Sequence, residues 1–366
     1  MMLQFFKASQ TDRSQSRAVE VVMCRFALYM FINLVLFFVW NISPDKAVAE
    51  TGRGEAFRYV LRLARGINLG NALDAPEEGL WGVTLEAGYF KTIKAAGFNA
   101  VRIPVRWSAH ADGNPPYAVD RAFLDRVDWA IEQALSQGLF VVVDFHHYEE
   151  MSTRPGEEQA RFITLWGEVA RHYQTWPSTL SFELLNEPEG ELTDARWAKL
   201  VPMLLQTIRQ SNPRRMVIVG PGQQYDLKGL DRLNLPAKDD NLIVTFHYYE
   251  PAHFTHQGAD WVEGSAAWLG TRWAGSVRDR RALHDDFAKV AAWSMQHNRP
   301  IYLGEFGSHR VADMPSRQRW TRAVAEEAES NGFAWAYWEF CSVFGAYDAD
   351  RGRWRQPLLR ALMDRD

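Results

Sequence analysis

The chain has almost no cysteine: Cys24 and Cys341 are the only two in 366 residues. It also lacks an excess of charge of one sign, with 41 Lys and Arg against 45 Asp and Glu. Such a balance makes a poor electrostatic match for nucleic acid or an anionic membrane. Metal-binding spacings are missing among the 10 His residues. There is no alternating His-x-His and no helical His-Glu-x-x-His. His146 and His147 are adjacent, and neighbouring strand residues should point to opposite faces, so they are not expected to share an ion. No linker, low-complexity tract, 20–50-residue repeat or second domain interrupts the chain. The one long apolar run, Phe26–Trp40, falls short of the roughly 20 residues that span a bilayer.

What is present at the N-terminus is a leader pattern. Lys7, Arg13, Arg17 and Arg25 precede the apolar run, and Ala47-Val48-Ala49 supplies a small-x-small cleavage site. Residues 1–49 are expected to be a secretory signal peptide, with an uncleaved signal-anchor as the alternative. Residues 50–366 are expected to form the folded domain. Removing 1–49 takes five Lys/Arg and three Asp/Glu, so the mature charge becomes (41 − 5) − (45 − 3) = −6. Cys24 leaves with the leader, and Cys341 alone cannot form an internal disulfide. Cys24 also precedes the apolar run, the wrong side for a lipoprotein anchor. Export without disulfides points to a bacterial protein, secreted or periplasmic.

From residue 66 on, short β-branched runs alternate with longer amphipathic ones. Strands are expected at 66–70, 100–105, 139–145, 180–185, 216–220, 242–248, 301–306 and 334–340. Helices are expected at 84–96, 120–137, 157–175, 194–211, 281–297 and 315–331, with a last one in "QPLLRALM". Eight near-continuous apolar strands separated by helices imply a parallel sheet buried on both faces. The count favours a closed α/β (β/α)8 TIM barrel in a single domain.

Chemistry in such a barrel sits at the C-terminal strand ends. Those ends carry Asn68, Asn71, Arg102, Arg106, Asp144, His146, His147, Asn186, Glu187, His247, Tyr248, Tyr249, Glu305, Trp338 and Glu339. Arg106, Asp144 and Glu339 are as well explained by ordinary barrel ion pairs. In "LSFELLNEPEG" (180–190), Pro188 cannot donate to a sheet ladder, which leaves Glu187 at a strand tip. Glu187 and Glu305 come from the fourth and seventh strands and can face each other across the mouth. Two carboxyls about 5–5.5 Å apart suit a retaining glycosidase, and about 6.5–9.5 Å an inverting one.

Seven segments, in order, carry a family likeness: "RGINLGNAL" (65–73), "GFNAVRIPVRW" (97–107), "DFHHY" (144–148), "ELLNEP" (183–188), "TFHYYEP" (245–251), "YLGEFG" (302–307) and "AYWEF" (336–340). The chain resembles glycoside hydrolase family 5, the cellulase family of retaining (β/α)8 glycosidases, in its bacterial endoglucanase-like branch. The resemblance implies a secreted endo-β-1,4-glucanase, with activity on β-mannan or mixed-linkage and β-1,3-glucan as alternatives. It implies Glu187 as acid/base and Glu305 as nucleophile, supported by Arg102, His146, Asn186, His247, Tyr249 and Trp338. Asn71, Asp74, His147 and Trp261 would contact sugar. Asp74 stands where Glu is expected, which shortens its reach. Trp81, Trp107 and Trp268 also lie near strand tips, and Trp268 and Trp273 suit loop packing equally well. No cofactor or metal is implied, the partner is a β-glucan, and a monomer is expected. Arg102 and Tyr249 should hold the Glu305 carboxyl low, and the activity bell should centre on the acid side of neutrality. A metallohydrolase barrel and a non-catalytic carbohydrate-binding barrel are the rivals. The absent metal spacings speak against the first, and the presence of both acids against the second.

Overall fold

A computed structural model describes residues 54–364; the leader expectation falls on residues outside the described ones. The eight strands close into one parallel barrel in sequential order. They are β1 (Arg65–Asn68), β2 (Ala100–Ile103), β3 (Phe140–Asp144), β4 (Leu180–Glu183), β5 (Val217–Val219), β6 (Leu242–His247), β7 (Ile301–Phe306) and β8 (Ala334–Tyr337). Closure is made by β1 against β8, with Ile67 opposite Tyr337.

Period-two alternation divides each strand between two cores. Ile67, Val101, Val141, Val143, Phe182, Val244, Leu303 and Trp335 face the outer helix layer. Ala100, Phe140, Val142, Ile218, Ile243, Tyr302, Ala334 and Ala336 form a second cluster with Ala56, Tyr59, Val60 and Leu63. Those last four belong to the helix Glu55–Leu63, which caps this inner cluster. The expected elements omit this helix, although its sequence, EAFRYVLRL, is amphipathic and buries Ala56, Tyr59, Val60 and Leu63 on one face. The other helices match expectation within a few residues: Ala87–Ala95, Arg121–Ser136, Pro155–His172, Asp194–Arg209, Val277–His297, Met314–Ser330 and Gln356–Met363. The helix at 277 starts earlier than expected because Ser276 and Asp279 form a capping box ahead of its apolar residues.

The expected strands overrun at their C-terminal ends. Val105, Phe145, Leu185 and Phe340 are buried, but in loops that cover the barrel mouth. Between β5 and β6 lies only the 3-10 turn Leu227–Arg232, and the long loop after β6 carries the short helix Ala252–Thr255.

One irregularity aims the site. Along β6 and β7, Phe246 pairs Leu303 but the next residue, His247, pairs Glu305. Against β8, Leu303 pairs Trp335 and Phe306 pairs Tyr337. β7 therefore holds one extra residue relative to both neighbours, a bulge that includes Gly304. Without it, strict alternation would send Glu305 outward with Leu303. With it, Phe306 joins the outer core and Glu305 turns into the barrel.

Candidate active site

Arg102, on β2, organises the barrel mouth. It is fully buried, and its guanidinium makes a two-pronged pair with Glu183 at 2.8 and 2.9 Å. It also reaches Glu305 at 2.7 Å, Asp144 at 2.7 Å, and the amide oxygens of Asn68 at 3.0 Å and Asn186 at 2.8 Å. A planar fork can serve so many acceptors where an ammonium cannot. Burial alone would lower the Arg102 pKa, but Glu183, Asp144 and Glu305 outweigh it and hold the cation charged. Asn186 is thereby left with its amide NH2 as the unclaimed end.

Glu305 receives Arg102 on Oε1 and the Tyr249 hydroxyl on Oε2 at 2.8 Å. Both partners expected from the sequence are in place. The expected low pKa is not. Burial pushes Glu305 up to about 6, with His247, Arg102 and Tyr249 pulling down against it and Glu187 pushing further up. Desolvation of the carboxyl is the larger effect here and outweighs its cationic and hydroxyl neighbours.

Glu187 sits just beyond β4 in left-handed backbone, φ 45°. Its side chain is 30% open and lines the cavity. Its Oε1 lies 2.5 Å from His247 Nδ1, and His247 Nδ1 is 3.6 Å from Glu305 Oε2. One ring thus stands between the two acids. Burial raises the Glu187 pKa to about 8, opposed by Arg102 and helped by Glu189 and Glu183. Burial also brings His247 down to about 4 and His147 to about 3, so both rings are neutral near pH 7.

The remaining expected residues gather around the same opening. Asn71, Asp74, His146, His147, Asn186, Tyr249, Trp261 and Trp338 all line one cavity of about 1350 Å³. The Trp338 ring lies parallel to His146, 5.7 Å away at 3°. His146 is fixed from behind by Asp144 at 2.7 Å. Asp144 thus serves an ion pair, as the bland alternative held. Glu339 does not: it is buried and accepts three backbone N–H bonds from Cys341, Ser342 and Phe344. Arg106 pairs with Glu149. Asp74 is only 1% exposed, and its two oxygens accept from the backbone N–H groups of Asn71 and Ala72. It shapes the loop that presents Asn71. Trp107 is core, bonding the Asp144 carbonyl, whereas Trp81 lines the cavity at 38% exposure.

His146 and His147 do not point to opposite faces as expected, and their ring nitrogens come close together. His147 has left-handed backbone, φ 48°, and lies past the end of β3, so alternation does not separate it from His146. Ligating atoms of Asp74, His146 and His147 fall within 4.8 Å of one another, as do those of Glu187, His247 and Glu305. Five of the six are already tied into the hydrogen bonds above, and His147 Nε2 lies 4.0 Å from Asp74 Oδ2. Sequence reasoning also missed Glu183 and Tyr225. Glu183 could have been found, since strict alternation from Ser181 aims it inward; nothing in the sequence marked Tyr225.

An eight-stranded parallel barrel with paired carboxylates at its mouth is an architecture that the (β/α)8 glycoside hydrolases share. More narrowly, residues 64–343 match the model of the cellulase family, glycosyl hydrolase family 5, and the chain belongs to that family. It is 37% identical to Endoglucanase H of Acetivibrio thermocellus over 311 residues, which is 85% of this chain and 33% of that protein. The chain thus spans about a third of the first curated relatives' length, 36% in the case of a cellulase/esterase from the same organism. Among solved structures it is 47% identical to Thermotoga maritima Cel5A, described in complexes with mannotriose and with cellobiose. That match has a TM-score of 0.83 and covers 84% of this chain and 100% of the other. Cellulose synthase subunit Z of Clostridioides difficile is 39% identical, with a TM-score of 0.80, covering 82% and 100% of the two chains.

Proposed function

We propose that the chain is a secreted endo-β-1,4-glucanase that cleaves internal bonds of cellulose or β-glucan with retention of anomeric configuration. The observation that carries the reading is the separation of the two acids. Carboxylate oxygens of Glu187 and Glu305 lie within 4.8 Å of each other, near the spacing of about 5–5.5 Å used by retaining enzymes and short of the inverting range. The pKa order agrees: near neutrality Glu187, at about 8, keeps its proton, while Glu305, at about 6, is ionised.

In the first step the Glu187 proton passes to the glycosidic oxygen as the C1–O bond breaks, and a Glu305 oxygen bonds C1. In the second, Glu187 takes a proton from water, whose oxygen attacks C1 and frees the Glu305 carboxylate. Arg102 and Tyr249 hold Glu305 in line for attack. The free NH2 of Asn186 is suited to a sugar 2-hydroxyl. The Trp338 face stacks the reacting sugar, and Asn71, His147 and Trp261 extend the grip. A cavity of about 1350 Å³ exceeds the range typical of small-molecule sites, as a polymer requires.

The decisive test is proton NMR of the first-formed product. A β-anomer supports retention, and an α-anomer overturns it. Rates on carboxymethylcellulose, barley β-glucan and glucomannan rank the substrates; a preference for glucomannan would favour the mannanase alternative. N-terminal sequencing of exported protein should begin near Glu50. A second reading draws on the likeness to the cellulose synthase subunit and on the long basic stretch before Phe26. In it the leader stays on as an anchor and the enzyme trims newly made β-glucan at the cell surface. Material that begins at Met1 and sediments with membranes would select it.

A further inference from the structure

After β5 the chain reads Gly220-Pro221-Gly222-Gln223-Gln224-Tyr225. Gln223, Gln224 and Tyr225 all have left-handed backbone, with φ of 56°, 59° and 57°. L-residues with side chains enter this region singly and at a cost. Three in succession persist only where the surroundings over-determine them.

The turn grips the loop that carries Glu187 on both sides. Before Glu187, the buried Tyr225 hydroxyl donates to the Leu185 carbonyl. After it, the Gln224 N–H donates to the Pro188 carbonyl at 3.1 Å. The turn also meets the partner of Glu187. The Tyr225 carbonyl accepts from the His247 N–H at 3.2 Å, and the Tyr225 ring stands edge-on to the His247 ring, 5.0 Å away at 82°. The left-handed path is what folds the ring back over Gly220, where an added Cβ would lie 2.2 Å from Tyr225 Cε1.

We propose that this left-handed turn is a clamp that fixes the direction of the Glu187 carboxyl, with Tyr225 as its positioning residue. The inference rests on Glu187 being the proton donor. A donor held at one angle serves a poor leaving group and is idle for a good one, and this difference separates the clamp from general packing.

The test is Tyr225→Phe, which removes the hydroxyl and keeps the ring. kcat/KM is measured on cellopentaose and on 2,4-dinitrophenyl β-cellobioside, whose leaving group departs unprotonated. The expected loss is roughly tenfold on cellopentaose, the order of one lost buried hydrogen bond, and under about twofold on the aryl substrate. In a Glu187→Ala background the same substitution should cost nothing further on either. Gly220→Ala, which displaces the ring from the other side, should show the same selectivity and serves if Tyr225→Phe folds poorly. Equal losses on both substrates, no loss, or an undiminished loss in the Glu187→Ala background overturns the clamp. Failure of the proton-donor reading shows separately, as equal losses for Glu187→Ala alone.

Discussion

Arg102 and Glu305 meet at 2.7 Å across the barrel mouth, one on β2 and one on β7, and both are buried. The same guanidinium also faces Glu183 and Asp144, so one cation answers three carboxylates. Arg102→Lys keeps the charge but cannot reproduce the fork. It should cost about 3–5 kcal/mol of stability, the scale of a broken buried ion pair, and most of the activity. Urea unfolding and kcat on β-glucan check it. A variant within about 0.5 kcal/mol of the parent would mean that the other acceptors are satisfied without it.

Glu187→Gln and Glu305→Gln should each stay folded and lose about 10²–10⁴-fold in kcat or more. Azide should restore part of the activity of Glu305→Gly by supplying the missing nucleophile, giving an α-glycosyl azide. An absence of rescue at any azide concentration would count against Glu305 as the attacking group.

The kcat/KM profile should be a bell with limbs near 6 and 8, from Glu305 ionising and Glu187 losing its proton. That centres it on neutrality instead of the acid side suggested by the sequence. The shift comes from burial raising both acids. On an activated aryl glycoside, Glu187→Gln should lose the upper limb. A persisting upper limb would name another group as the acid.

Stability should fall as pH rises from about 7 to 9, above the range in which unfolded histidines still take up the protons that burial denies His110, His146, His147, His247, His256 and His309 in the native state. Glu187, Glu305, Asp74 and Glu339 have native pKa values near 8, 6, 7 and 7, all above their ordinary range. The native state therefore binds more protons than the unfolded chain in that window. The stability from these protons is full below the unfolded pKa and lost as pH passes the folded one. Glu187→Gln should flatten the upper part of this fall, read as Tm against pH. A Tm that climbs across the window would contradict the raised values of Glu187, Asp74 and Glu339.

The two tryptophans should separate binding from turnover. Trp261 is 56% exposed and rests against His309 and Phe344, so Trp261→Ala should raise KM on cello-oligomers several-fold with little change in kcat. Trp338→Ala should lower kcat as well. Gly70→Ala offers a finer probe, because its Cβ would lie 2.5 Å from Trp338 Cη2 and must tilt that ring. Identical kinetic signatures for positions 261 and 338 would deny them different subsites.

The barrel and its acids were legible because buried parallel strands write themselves as apolar runs, and because polar residues at their ends stand out against them. Three things were not. The bulge at Gly304 depends on pairing with β6 and β8, which no local pattern encodes. The left-handed residues Asn71, His147, Glu187 and Gln223–Tyr225 carry side chains, so the glycine signal for positive φ was missing. Acidity was misjudged because charge partners can be guessed from motifs, whereas desolvation needs the walls around the group. The cap helix at 55–63 was legible in its apolar spacing at 56, 59, 60 and 63, but what that face covers, Phe140 and Ile218 among others, is far away in sequence.

The seam between β1 and β8 has a consequence for how the molecule comes into being. Asn68 bonds the Ala336 carbonyl across it, 268 positions along the chain. A ribosome delivers β1 before the other barrel strands and β8 after them, so one side of β1 must wait unpaired until the last strand of the barrel emerges. Contacts this distant carry a large loop-closure cost and slow the final assembly. The nascent chain cannot close its barrel early, and losing β8 alone would leave the entire sheet with open edges.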